Sequence, residues 1–466
     1  MIFSSIAFLY YFLPLTLIFY FLTPRPLKNT TLLLASLFFY GWGEPKYVFL
    51  MTLTVLLGYV FGLLIERYRE KPISKVFLTL SVLSSLAALG YFKYADFFIT
   101  NFNAATGLSI PLLRLALPIG ISFYTFQILS YSVDVYRGET KAQKNPINLA
   151  AYVALFPQLI AGPIVRYRDV ALMLKKREHS FEKINHGCYR FVIGLSKKIL
   201  IANTLGELCS SFTQSADLSV LYYWLYVVSY MLQIYFDFSG YSDMAIGLGK
   251  IFGFDFLENF NYPFISKSIT EFWRRWHISL GSWFRDYVYI PLGGNRVKRA
   301  RMLFNIFAVW FLTGFWHGAQ WNFIVWGLYF GILLTLEKFF FLKKLEKHPL
   351  LGHIYVLFTV AISFMIFSAE NMGDAIGRVG GMFGIGVKSF VSAEFLFNIK
   401  NYAVVLFIAC VGATPLMKKI KNYADSKMKN RFILDVLEIL VPILLLVICT
   451  AYLADGSFNP FLYFRF

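Results

Sequence analysis

The sequence predicts an all-α, polytopic transmembrane protein. Three observations carry that expectation. Apolar runs recur from one end of the chain to the other. Only 15% of the 466 residues are charged, where soluble domains carry about 25%. The composition is 58% hydrophobic and 19% aromatic, with a mean hydropathy of +0.59. No aqueous surface accommodates that much apolar side chain. In lipid each backbone polar group must be satisfied within the protein, which favours helices.

A helix needs about 20 apolar residues to cross a bilayer core. By that measure the candidate spans are 3–22, 30–42, 46–65, 76–93, 116–136, 147–164, 187–204, 220–236, 239–253, 303–318, 322–342, 352–369, 401–416 and 432–453. Several are short or interrupted. The expectation is roughly 11–13 spans plus re-entrant or interfacial helices. The first run lacks a basic leader and exceeds the core of a signal peptide, so it reads as a span that is kept. The apolar runs are continuous enough to predict a single membrane-embedded domain, 1–466, with a C-terminal aromatic tail at 454–466. No internal repeat is evident, which disfavours an inverted-repeat transporter.

The formal net charge of +18 resides in the segments between apolar runs. Arg25 and Lys28, Arg137, Lys141 and Lys144, Lys175-Lys176-Arg177, Arg296 to Arg301, Lys343-Lys344 and the cluster Lys418 to Arg431 all follow this rule. Placing them on the cytoplasmic side puts both termini on the extracytoplasmic side of a cell membrane. Attraction to anionic headgroups accounts for the basicity, and nucleic acid is not needed. The four cysteines, Cys188, Cys209, Cys410 and Cys449, lack ligand or disulfide-framework spacing, so neither a metal nor a crosslinked scaffold is expected.

The segment 260–300 departs from the span pattern. Phe272, Trp276, Leu280, Trp283 and Tyr287 recur at helical spacing and predict a helix with an aromatic face. Arg274, Arg275, His277 and Arg285 interrupt it. A central arginine costs about 2.5–3.5 kcal/mol in a spanning helix. The segment therefore lies in the interface, as an ordinary amphipathic helix would, or re-enters a protein-lined cavity as a site wall.

The sharpest chemical signal is Phe315-Trp316-His317-Gly318-Ala319 within the apolar stretch Met302–Leu334. Ionisable groups inside a membrane are costly and mark functional positions by default. A neutral imidazole is the least costly of them and suits a general base. The bland alternative is a core histidine bonded to a carbonyl. Gly318-Ala319 offers room for a close backbone or a thin substrate. Asp237 and Asp243 are six residues apart in Asp237-Phe238-Ser239-Gly240-Tyr241-Ser242-Asp243. On one helix they face different directions and do not form an acid–base pair. Arg274, Arg275 or Arg285 are the partners expected for them. His179, His186, His348 and His353 lie in basic loops or at span ends and receive no role.

Taken together, Asp237 to Asp243, Glu258-Asn259-Phe260-Asn261-Tyr262-Pro263, Phe272-Trp273-Arg274-Arg275-Trp276-His277, Asp286-Tyr287-Val288-Tyr289-Ile290-Pro291-Leu292-Gly293-Gly294 and Trp316-His317-Gly318 resemble the membrane-bound O-acyltransferase (MBOAT) family. The opening Met1-Ile2-Phe3 and Ala161-Gly162-Pro163-Ile164-Val165-Arg166 also resemble its bacterial branch. That branch includes alginate and peptidoglycan O-acetyltransferases and the D-alanyl transferase of teichoic acids. The resemblance covers nearly the whole chain and is densest over 230–330. It implies a catalytic His317, a second family histidine at His277, and a ring of helices around a tunnel. Trp316, Trp276, Arg274, Arg275, Asp237, Asp243 and Arg285 are the candidates to line that tunnel.

The last residues, Phe461-Leu462-Tyr463-Phe464-Arg465-Phe466, resemble the F-x-Y-x-x-F ending of the small membrane partner in the D-alanyl system. The bland alternative is an aromatic interface anchor. As a relay, Tyr463 accepts the acyl group as an ester and presents it outside. The expected donor is acetyl-CoA, used as a co-substrate without metal. The expected partners are the lipid bilayer and a separate extracytoplasmic serine esterase-like acyltransferase, through which a polysaccharide acceptor is reached. No G-x-S-x-G elbow is present in this chain, consistent with a separate partner. The rival readings are D-alanyl transfer from a carrier protein to teichoic acid and, from another class, a membrane transporter or channel.

Overall fold

The computed structural model describes residues 1–160, 162–427, 432–456, 458 and 459. Every regular element among the described residues is helical: α-helix, short 3-10 turns, or π-helical segments. Among the described residues six helices are long and apolar enough to cross a membrane: Tyr47–Arg67, Ile73–Thr106, Trp321–Lys347, Pro349–Ser368, Ala393–Gly412 and Leu434–Ala454. Ala7–Leu22 is a shorter apolar helix. The chain is a multi-pass, all-helical membrane protein.

Several of the other expected spans are helical but short, split or merged. The 116–136 run begins its helix only at Ile121, after Gly120 takes a left-handed φ of 74°. The 147–164 run divides into Pro146–Ala154 and Phe156–Leu159. Residues 220–236 and 239–253, read as two spans, form one helix, Val220–Ile251, of 32 residues. The polar Asp237–Asp243 stretch lowers local hydropathy without breaking the helix, because lysines neutralise both carboxylates in place (below).

The chain forms two compact units: Met1–Phe191 with Met244–Leu257, and Val192–Asp243 with Glu258–Phe466. In the first, Phe3, Phe8, Phe12, Phe39 and Phe156 build an aromatic core, with Phe12 edge-on to Phe156 at 5.2 Å between centroids. Polar ties are buried with it. Ser81 and Ser132 share a hydroxyl hydrogen bond of 2.8 Å, and the Tyr20 hydroxyl donates to the Phe252 carbonyl at 2.9 Å.

In the second unit the helix Arg299–His317 packs against Trp321–Leu336. Glycines permit the contact. A Cβ on Gly314 would run into the Phe323 carbonyl, and one on Gly327 into the Trp310 carbonyl. Small residues bring membrane helices together in this way when no hydrophobic driving force separates helix from lipid. Asn322 then donates to the Ala369 carbonyl at 2.9 Å, and Tyr329 to that of Thr359 at 3.0 Å. These bonds tie Trp321–Leu336 to Pro349–Ser368.

The predicted aromatic helix over 272–287 is broken. Ile269–Arg275 ends, His277 adopts φ 45°, ψ 53°, and Ile278–Phe284 begins anew before a π-helical turn, Arg285–Tyr289. The periodicity persists in burial, since Phe272, Trp276, Leu280 and Trp283 all lie inside. The left-handed residue reorients the second half. Such a conformation costs a non-glycine residue about 1–3 kcal/mol and survives only where surroundings over-determine it.

Candidate active site

The long helix Val220–Ile251 serves the site from two sides. Asp237 and Asp243 reach the π-helical segment Lys197–Asn203. Lys198 Nζ lies 2.5 Å from Asp237 Oδ1, and Lys197 Nζ lies 2.6 Å from Asp243 Oδ2. The expectation of arginine partners is corrected here: adjacent lysines from one turn take both carboxylates. Arg275 instead pairs with Glu271 at 2.8 Å and Arg285 with Asp286 at 2.7 Å. Their own helical neighbours lie within reach, whereas the Asp side chains face the lysine turn.

Phe238 and Ser242, one helical turn apart, address a different surface. The Phe238 ring meets His277 edge to face at 4.7 Å. Ser242 Oγ accepts from Asn259 Nδ2 at 3.3 Å. Asn259 in turn holds the broken segment. Its carbonyl accepts the Ile278 N–H at 3.0 Å, and its side-chain oxygen lies 3.1 Å from His277 Nδ1. Two residues on, the Asn261 N–H donates to the Arg275 carbonyl at 2.9 Å, and Arg275 Nη1 donates back to the Asn261 carbonyl at 3.0 Å. This two-way clamp over-determines the left-handed His277.

The start of the same segment is capped by Glu337. That carboxylate is fully buried and accepts from the Ile269 N–H at 2.5 Å, the Thr270 N–H at 2.9 Å and the Thr270 hydroxyl at 2.7 Å. A helix N-terminus leaves unpaired N–H groups and a partial positive charge, and a carboxylate answers both.

His277 is 2% exposed. It lies outside the spanning helices, and burial pushes its pKa down to about 3, so the ring is neutral at neutral pH.

His317 closes the helix Arg299–His317 because Gly318 turns extended. Its ring stands against three aromatics: Trp316 at 4.9 Å, Trp326 at 5.0 Å and Phe367 at 5.3 Å, all near perpendicular. The room expected at Gly318 is occupied, since a Cβ there would meet the Phe323 ring. The Trp316 ring also lies 6.2 Å from His277, so one indole touches both imidazoles.

The other predicted site residues are distributed around this pair. Trp276 stacks on Phe272 at 5.6 Å and meets Phe364, which contacts Phe367, so it joins the wall that reaches His317. Asp237 and Asp243 act one layer out, through the lysine turn. Arg274 and Arg285 are exposed, and Arg275 is spent on Glu271 and Asn261. Tyr463 lies outside the described residues. The nearest described part of the tail is Asn459, whose Oδ1 accepts from Asn203 Nδ2 at 3.2 Å. The sequence presents Asn259 only as part of its motif, with no role, and does not single out Glu337, Lys197 or Lys198. The lysines and Glu337 carried a readable signal, a charge inside or at the edge of an apolar run. Among the described residues no cluster of three or more His, Cys, Asp or Glu could hold a metal ion.

Two imidazoles in an aromatic, low-dielectric setting suit proton transfer to or from an oxygen or sulfur. Comparison with known proteins identifies the family. The model of the membrane-bound O-acyltransferase family matches residues 38–372. The chain is 40% identical to the "Probable alginate O-acetylase AlgI" of Azotobacter vinelandii, over 100% of both chains. It is 33% identical to the "Peptidoglycan O-acetyltransferase" of Helicobacter pylori, over 100% of this chain and 98% of the relative. Similarity to the "Teichoic acid D-alanyltransferase" of Bacillus subtilis is 32% over 54% of this chain and 69% of the relative. The chain belongs to the membrane-bound O-acyltransferase family and is a multi-pass O-acyltransferase of its alginate and peptidoglycan O-acetyltransferase-like branch.

Proposed function

We propose that this enzyme moves an acetyl group from acetyl-CoA on the cytoplasmic side to the extracytoplasmic side, for O-acetylation of an exported or cell-envelope polysaccharide. The observation that carries the reading is the placement of His317: a buried imidazole at a helix end, walled by Trp316, Trp326 and Phe367. His317 takes the proton of an incoming hydroxyl as its oxygen attacks the thioester carbonyl. The C–S bond breaks, and the imidazolium returns the proton to the departing thiolate. Basic loops at the cytoplasmic face suit a phosphate-rich donor.

The first acceptor in this reading is Tyr463, which carries the acetyl group as a phenyl ester to a separate serine esterase-like acyltransferase outside. Both termini are then extracytoplasmic.

D-alanyl transfer is the rival within the class. Full-length similarity to the acetyl-transferring relatives, against about half the chain for the D-alanyl relatives, favours acetyl. Incubation of the purified protein with labelled acetyl-CoA, followed by mass spectrometry of the C-terminal peptide, tests the donor and the relay together. Label on Tyr463, lost in Tyr463→Phe, supports both. An unlabelled tail with full transfer in Tyr463→Phe removes the relay, and no transfer from acetyl-CoA removes the donor.

A further inference from the structure

The groups around His277 specify which ring nitrogen carries its hydrogen. The backbone N–H of Ser279 points at Asn259 Oδ1 at 3.1 Å, and Ser279 Oγ lies 2.9 Å from the same atom. A backbone amide can only donate, so the oxygen end of the Asn259 amide faces this side. The nitrogen end is engaged opposite, donating to Ser242 Oγ at 3.3 Å. Turning the amide over would set its NH2 against the Ser279 N–H. His277 Nδ1 is 3.1 Å from that oxygen. Two lone pairs do not attract, so Nδ1 carries the hydrogen and Nε2 the lone pair.

We infer that Asn259 is a positioning residue: it locks His277 in the Nδ1–H form and so makes Nε2 the basic nitrogen that the second histidine contributes. The lock is tied to the scaffold at each end. Ser242 holds the Asn259 amide, the Asn259 carbonyl holds the Ile278 N–H at 3.0 Å, and Phe238 meets the ring edge to face at 4.7 Å. Burial of Asn259 at 1% exposure keeps water from competing. What Nε2 then does rests on the acyl-transfer reading. It accepts a hydrogen bond from the reacting hydroxyl, beside a His317 that shares the Trp316 indole. The tautomer itself does not rest on that reading.

The test uses full-length protein in detergent, labelled with 15N at histidine, with the His277 resonances assigned by their loss in His277→Gln. Wild-type His277 is expected to show a protonated Nδ1 and a lone-pair Nε2. The opposite pattern overturns the inference without any variant. Asn259→Ala is expected to abolish the preference for Nδ1–H and to lower kcat for acyl transfer about tenfold or more, with KM for the thioester within about twofold. Asn259→Asp keeps an acceptor and is expected to retain the tautomer and most of kcat. Its negative charge stabilises the imidazolium, so the acid limb of the pH–rate profile moves to higher pH. An unchanged tautomer in Asn259→Ala overturns the lock. A changed tautomer with wild-type kcat overturns the catalytic consequence. Absence of acyl transfer by wild-type protein counts against the proposed function instead, and leaves the NMR result standing.

Discussion

Lys198 Nζ lies 2.5 Å from Asp237 Oδ1, and both side chains are 3% exposed. Two opposite charges this far from water hold each other in place, since pairing offsets the hydration each has lost. The helix of Asp237 carries both this pair and, on a neighbouring face, Phe238 and Ser242, which contact His277 and Asn259. The pair therefore braces the helix that carries those contacts.

Removing one partner strands the other. Lys198→Met is expected to destabilise the protein by about 3–5 kcal/mol, seen as a large drop in thermal midpoint in detergent. The double change Lys198→Met with Asp237→Leu recovers most of that loss. A single variant as stable as wild type contradicts the brace.

The His317 helix depends on close approach. Gly327→Val places a branched side chain against the Trp310 carbonyl and is expected to cost about 1–3 kcal/mol through overpacking. Activity falls with it, because Trp326 and His317 are displaced together. Gly107→Ala probes a glycine with open space around it but a left-handed φ of 74°. It is expected to weaken stability locally while leaving transfer intact. Equal loss of transfer in both variants would contradict the assignment of the Gly314–Gly327 contact to the site.

Much of this architecture was legible in the chain, and the exceptions have physical causes. Long apolar helices such as Tyr47–Arg67 and Pro349–Ser368 announce themselves through hydropathy. The unity of Val220–Ile251 does not, because hydropathy registers Asp237 and Asp243 as interruptions while the lysines that neutralise them lie some forty residues upstream. His317 stands out as an ionisable group in an apolar stretch. Its wall of Trp326 and Phe367 does not, since aromatics are abundant throughout and only tertiary packing selects among them. The spacing of Phe272 and Trp276 correctly marks a buried face. It cannot reveal that His277 turns left-handed, which the Asn259–Asn261 clamp imposes from outside the helix.

Burial of His277 links stability to pH. Its folded pKa is pushed down to about 3, below the usual value of about 6.5. A neutral histidine held this way favours folding fully above the unfolded pKa, and the advantage disappears as pH falls toward the folded one. Thermal midpoints are thus expected to fall between about pH 6.5 and pH 4, with a shallower slope in His277→Gln. His179, lowered by burial and by Lys28 and Arg177, retains its own smaller contribution in that variant. Identical slopes would remove His277 as the source.

Glu337 should matter through the segment it caps. Glu337→Gln keeps the shape but weakens the acceptance of two N–H groups and a hydroxyl, at a cost of about 1–3 kcal/mol. Hydrogen exchange is expected to quicken at Ile269 and Thr270 ahead of the rest of the unit. Unchanged exchange there would mean the cap is dispensable.

The decisive measurement is acyl transfer from a labelled thioester by purified His317→Ala, reconstituted beside wild type at equal thermal stability. With His317 as the base, kcat is expected to fall about 10²-fold or more, with thioester binding preserved. Transfer within twofold of wild type would contradict the role of His317 as the base.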